Sequence, residues 1–259
     1  MSIYQHFRKH EHPFVDQVLS WKEQVMRHYT LYQTDFLDPR DQQIVESIIG
    51  TTNEEVLFTF FGGAEEAERK RAIIAPYYEE ITDDVFEVNL LEGNFDSRFV
   101  NIKHRDILGA FTSLGIDRKK IGDIYVTESR FQFFIAAELS SFVTLNLTKI
   151  KNASITLREK SFSQLIENQD VWVHKQHTVS SLRLDVIVKE VYQMSRKDAV
   201  RYIKANRVKV NFTDIDDPAM QILKNDLISL RGFGRSKVID LHGKTRKDKW
   251  RITSARLKT

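Results

Sequence analysis

The chain has 259 residues, 41% hydrophobic and 29% charged, and contains no cysteine. That length suits two ordinary domains or three small ones, the apolar content supports packed cores over wholesale disorder, and the absence of thiols excludes disulfides and thiolate metal sites. Net charge is only +3, yet residues 182–259 carry 19 Lys+Arg against 9 Asp+Glu while residues 1–181 are acidic, an asymmetry that points to a polyanionic partner for the C-terminal part.

No apolar run approaches the ~18 residues a membrane span needs, and the opening "MSIYQHFRKHEHPF" has no signal-peptide core. The expectation is a cytoplasmic protein without membrane insertion. In chain order, residues 12–33 read as a helix, with Phe14, Val18, Trp21, Val25 and Tyr29 at helical spacing. Asp38–Ile49 reads as a second helix, with Asp38 as N-cap and Pro39 in the first helical position. Glu55–Phe61 reads as a strand ended by Gly62 and Gly63, and Ala64–Ile74 as a helix stopped near Pro76. Strand, helix, two strands, helix and strand then follow between residues 85 and 160, the order of a ferredoxin-like split βαβ unit. Residues 161–180 read as a connector with some strand content.

Further on, Leu184, Ile187, Val188 and Val191 mark a two-turn helix, and Ser195 caps a second with Asp198 reaching back. Val208 and Val210 alternate with Arg207 and Lys209, as in a half-buried strand. Asp226–Leu230 and Lys237–Leu241 complete the strands expected there. The fold class is α+β: a small helical and mixed domain at residues 1–82, a ferredoxin-like (RRM-like) domain at 83–165, and a basic domain at 181–245 with a basic tail to 259.

The charges of the last third are placed as a binding face would need. Lys197, Arg201 and Lys204 fall on one side of the second helix, Arg196 flanks its start, Arg183 precedes the first helix, and Arg207 and Lys209 lie on the polar side of the strand. These groups are expected to converge on one continuous surface that meets phosphates, with structured RNA recognised mainly by shape. A second candidate patch is His104, Arg105, Arg118, Lys119 and Lys120, for which a solvated loop is an equal reading. The tail from His242, with Trp250, is expected to order on binding phosphate.

The motifs "RLD" at 183–185, "SR" at 195–196, "VKVN" at 208–211 and "RGFGR" at 231–235 resemble the S-four RNA-binding domain over residues 181–240. That resemblance implies RNA contacts by Arg183, Arg196, Lys197, Arg201 and Lys209, and adds Arg235 to the candidate set. Phe212 and Asn225 stand where that family commonly has glycine, and the loop from Phe212 to Ala219 is acidic. Upstream, "FLDPRDQQIVESIIG", "FFGGAEEAERKRAIIAPYY" and "HRDILGAFTSLGIDRKKIGDI" resemble YlmH-type bacterial proteins over residues 35–259. This second resemblance implies association with the large ribosomal subunit, rRNA and tRNA in rescue of stalled nascent chains, and a link to cell division by gene neighbourhood.

Other motifs have plainer readings. "HRD" at 104–106 lacks the glycine-rich loop and "DFG" of a kinase and reads as a helix start. Phe131, Phe133 and Phe134 could suggest an RRM stacking platform, but the platform pattern is absent and core packing is the better reading. Gly62 and Gly63 lack the spacing of a phosphate loop and read as helix entry. His6, His10 and His12 lack partners for a metal, and terminal disorder is the expectation. No catalytic constellation, metal site or cofactor motif stands out. An RNA-modifying enzyme with a basic docking domain, and an acidic division scaffold, are the alternatives to a non-enzymatic RNA-binding protein.

Overall fold

The computed structural model describes residues 3–50, 55–167 and 171–258. The chain divides into two compact units, residues 1–168 and 169–259.

The first unit opens with 3-10 turns at Ile3–His6 and Lys9–Glu11, in place of the expected terminal disorder. Buried Glu11 accepts from Arg40 Nε at 2.9 Å, which ties this end down. Helix α1 spans His12–His28 and stops earlier than its periodicity suggests, because Tyr29 turns left-handed (φ 54) and stays exposed. Strand β1 is Tyr32–Gln33, and α2 is Pro39–Ile49 with Asp38 accepting from the amides of Arg40 and Asp41, as its sequence indicates. Strands β2 (Val56–Phe61) and β3 (Arg71–Pro76) complete a sheet in the order β1-β3-β2.

Strand β3 corrects the helix expected over Ala64–Ile74. All six of its residues are buried. Ala72 and Ile74 pack against α1 and α2, while Ile73 and Ala75 pack against the next sheet. A strand buried on both faces reads as an unbroken apolar run, without the alternation that reveals a half-buried strand. Residues 64–70 form a turn, its Glu68 and Arg69 amides donating to Asp123 at 2.6 and 3.1 Å. Nor are the glycines before it a helix entry. A Cβ on Gly63 (φ +89) would lie 2.1 Å from the Phe134 ring, so close packing dictates the residue.

Next come β4 (Val88–Asn94), α3 (His104–Ser113), β5 (Ile121–Val126), β6 (Arg130–Ala136), α4 (Ala137–Asn146), β7 (Lys149–Ile150), β8 (Ala153–Ser154) and β9 (Leu157–Lys160). Their main sheet runs β5-β6-β4-β9, all pairs antiparallel, which is the split βαβ order. Phe131, Phe133 and Ile135 face a core with Ile107 and Phe111 of α3 and Val143 of α4. Phe134, Val88 and Leu90 face the opposite way, into a core with Phe36, Ile73 and Ala75. The sheet is therefore covered on both faces, and the β6 phenylalanines are core, not an open platform.

The second unit contains β10 (Trp172–Val179), α5 (Leu184–Val191), α6 (Arg196–Lys204), β11 (Val208–Val210), β12 (Thr213–Asp214), β13 (Leu227–Leu230), β14 (Gly234–Lys244) and β15 (Trp250–Leu257), in the sheet order β10-β15-β14-β13-β11-β12. Helices α5 and α6 cover one face through Leu184, Ile187, Val188, Ala199 and Ile203, which meet Val208, Val210, Ile228 and Val238. The connector expected at 161–180 ends in the edge strand β10. The tail is likewise structural: β15 pairs with both β10 and β14, and Ile252 is buried in the core. The expectation of a tail that orders on binding is overturned by this pairing, and Trp250 packs against the core under Lys244.

Candidate nucleic-acid interface

Two turns of α5 end at Val191, and α6 begins after Ser195, whose hydroxyl oxygen accepts from the Asp198 amide at 3.0 Å. Asp198 completes this start differently from the expected box: its carboxylate accepts from the Ser195 hydroxyl at 2.7 Å and also pairs with Arg201 at 2.8 Å. Ala199 and Ile203 are buried, which turns Lys197, Arg201 and Lys204 to the opposite, exposed side of α6. The expected helical face is therefore present as a row of three cations.

Both helix starts meet at Asp185, whose side chain is 1% exposed. It accepts from Arg183 Nε at 3.0 Å and Arg196 Nε at 2.9 Å, with Arg196 Nη2 at 2.8 Å. Burial alone would raise this carboxyl, but the two guanidinium groups outweigh it and hold it below the usual carboxylate range. Arg183 and Arg196 stay 37% and 58% exposed, so one buried anion fixes two cations without hiding them. The sequence marks Asp185 only as part of a motif; its anchoring role comes from packing.

At the other end of α6, Arg201 and Arg207 lie 5.5 and 5.7 Å from the centre of the Tyr202 ring, which also meets Phe233 edge-on. The Arg231 amide donates to Arg207 O, adding an exposed cation that spacing alone did not single out.

Two candidates do not join this surface. Val208 and Val210 face α5 and α6, so Lys209 between them points away from the helices. Lys209 is registered against Ser229, and Ser229 against Arg235, which puts Arg235 on that same far face. Lys209 pairs with Asp214 at 3.3 Å, and Arg235 lies over the Phe212 ring at 5.9 Å. The single continuous surface expected from sequence is thus divided by the sheet. Asn211 and Phe212 form the turn between β11 and β12, both left-handed (φ 48 and 65), so phenylalanine takes the conformation that glycine would favour.

The second patch is also dismantled. Lys120 sits between Asp35 (2.7 Å) and Glu138 (3.0 Å), and Arg118 donates to the carbonyls of Ile121 and Gly122. These two stitch the first unit together. His104, Arg105 and Lys119 remain exposed, without the collective charge that the run suggested. Among the described residues, no helix is long and apolar enough to cross a membrane and no cluster of His, Asp or Glu could hold a metal ion.

Comparison with known proteins supplies a lineage. Family profiles described as "YlmH, N-terminal" and "Putative RNA-binding domain in YlmH" match residues 10–79 and 82–164. The "Ribosome-associated protein quality control protein P2" of Bacillus subtilis (strain 168) is 40% identical over 257 residues, covering 99% of each chain. Among solved structures, "Cell division protein ylmH from Streptococcus pneumoniae" is similar with 29% identity and a TM-score of 0.56, covering 64% of this chain and 100% of that one. Identity at that level over nearly the whole length, with both profiles agreeing, means that the chain belongs to the YlmH family.

Proposed function

We propose that this protein is a non-enzymatic RNA-binding factor of the cytoplasm that docks on ribosomal RNA or tRNA, on the large ribosomal subunit, during rescue of stalled nascent chains. The observation that carries the reading is the outer face of α6, where Lys197, Arg201 and Lys204 stand in a row beside the Asp185-anchored pair Arg183 and Arg196. Cations spaced along a helix, beside a pair fixed by a buried anion, suit a regular phosphate backbone. The name of the B. subtilis relative supports the ribosomal setting, and the profile over residues 82–164 supports RNA as the partner class.

In this reading residues 181–245 are an S-four module, with residues 1–82 and 83–165 as two further modules, the former covering the sheet face of the latter. Any RNA contact from 83–165 would come from its loops or edges, since Phe134 and its neighbours are sealed. Crosslinking of the intact protein in cells, followed by sequencing of the attached RNA and mapping of the attached peptides, tests the proposal. Ribosomal RNA or tRNA joined to peptides from 183–207 is the expected result. Crosslinks confined to other peptides, or to messenger RNA alone, would overturn it.

A further inference from the structure

Strands β10 and β15 lie outside the stretch that carries the helix-borne charge, yet they build a concave site. It is a cleft of about 310 Å³ between the β10–β15 ribbon and the end of α5. In the β10–β15 ladder Lys175 is opposite Ser254, and Val173 is opposite Arg256. These four side chains share the face that looks towards α5. The last turn of α5 ends before it covers them, so Val173 stays 53% exposed while Val191 forms the facing wall.

The floor of the cleft is polar and buried. His177 Nε2 lies 3.0 Å from Ser254 Oγ, and its Nδ1 lies 3.8 Å from a Glu190 carboxylate oxygen. Burial, outweighing Glu190, lowers the His177 pKa and keeps the ring neutral at neutral pH. Ser254 is only 2% exposed, which suits a hydrogen-bonded floor and not a nucleophile. Around the rim stand Lys175, Arg256 and Lys258. Arg256 is held in place, 5.0 Å over the Tyr192 ring and donating to Phe233 O at 3.0 Å. Two valine walls beside three cations fit a ligand with a flat, weakly polar body and an anionic group. The volume is at the low end of the ~300–1,000 Å³ typical of small-ligand sites, too small for a helical nucleic acid.

We propose that this cleft binds one unpaired nucleotide, its base between Val173 and Val191 and its phosphate at Lys175, Arg256 and Lys258. The nucleotide comes either from a single-stranded stretch of RNA or from the free pool; the recognition chemistry is the same. None of the α6 cations lines the cleft, so either assignment can fail without the other.

Titration calorimetry of the full-length protein at low salt tests the proposal, with adenosine 5′-monophosphate, inorganic phosphate and a single-stranded tetraribonucleotide as probes. The monophosphate is expected to bind and to shift the His177 imidazole resonances. The double variant Lys175→Ala, Lys258→Ala and the single variant Val173→Asp should each weaken it about tenfold or more with the melting temperature unchanged. The triple variant Lys197→Ala, Arg201→Ala, Lys204→Ala should leave it unchanged. In that triple variant, which lacks the α6 cations, tighter binding of the tetranucleotide than of the monophosphate assigns the cleft's ligand to RNA, and equal binding assigns it to free nucleotide. Inorganic phosphate binding as tightly as the monophosphate, or cleft variants that bind like the parent, would overturn the assignment.

Discussion

Two of the antiparallel sheets, one in each unit, meet their surroundings differently. The sheet of β4, β5, β6 and β9 is buried on both faces, by α3 and α4 on one side and by residues of the N-terminal segment on the other. The sheet of β10–β15 is covered by α5 and α6 on one face, and its other face carries Lys209 and Arg235. Burial decides what charge can do. Near the doubly covered sheet three cations are consumed by structure: Lys120 by Asp35 and Glu138, Arg118 by two carbonyls, and Arg71 by donating to Thr34 O at 2.8 Å. Around the singly covered sheet others are anchored and left exposed. A run of charges in the sequence does not by itself distinguish the two cases.

The largest expected effect breaks the seal on the doubly covered sheet. Phe134→Ala removes a fully buried ring from between the two packed layers, and should cost about 3–5 kcal/mol. Gly63→Ala, with its Cβ driven into the same ring, should fall in a similar range. Urea denaturation would show either loss, and a change below about 1 kcal/mol would mean that the layers are not packed as described.

Next in size is the reverse experiment on the singly covered sheet. Replacing Lys197, Arg201 and Lys204 together by alanine should weaken RNA binding roughly ten- to a hundredfold at physiological salt, while stability stays within about 0.5 kcal/mol per site because all three are exposed. Filter binding with circular dichroism melting separates the two outcomes. Parallel loss of fold and affinity would erase the contrast between the sheets.

A smaller effect concerns pH. Burial, with Asp38 alongside, pushes the Asp41 carboxyl up to about 7. A folded-state value above the unfolded one means stability that is full below the ordinary carboxylate range and is lost as pH rises towards 7. Asp41→Asn should therefore remove part of the fall in stability of the first unit between pH 4 and 7, leaving the second unit unaffected. An unchanged pH profile in the variant would place the titration elsewhere.

The least effect is expected at Asn225, left-handed at φ 69, a conformation that glycine adopts freely. Asn225→Gly should change stability by less than about 1 kcal/mol, because asparagine tolerates that conformation better than most residues. A melting curve would register a larger loss, which would show that the side chain has a bonding role.

What the sequence revealed follows the same division. The half-buried strands and amphipathic helices of the C-terminal unit were legible, because alternation at Val208–Val210 and the 3.6-residue period of α5 and α6 report a single buried face. Strand β3 was not, since burial of Arg71–Pro76 on both sides erases alternation and leaves a run that a helix could also explain. The tail is obscured for a related reason: its seven cations mask the inward set Ile252 and Ser254, which only the pairing with β10 and β14 defines. Among site residues, the α6 row followed from spacing. Arg183 and Arg196 were found as cations, but their shared anchor Asp185 depends on how α5 meets α6. That Lys209 and Arg235 lie across the sheet required the strand register.

The central claim, that the outer side of α6 grips an RNA backbone, is tested most directly by the salt dependence of binding. With about six phosphate contacts the parent protein should show a log–log slope near −4, and the triple alanine variant of α6 a slope shallower by about 2. An identical slope for parent and variant would contradict the account, since the lost cations would then never have displaced counterions from RNA.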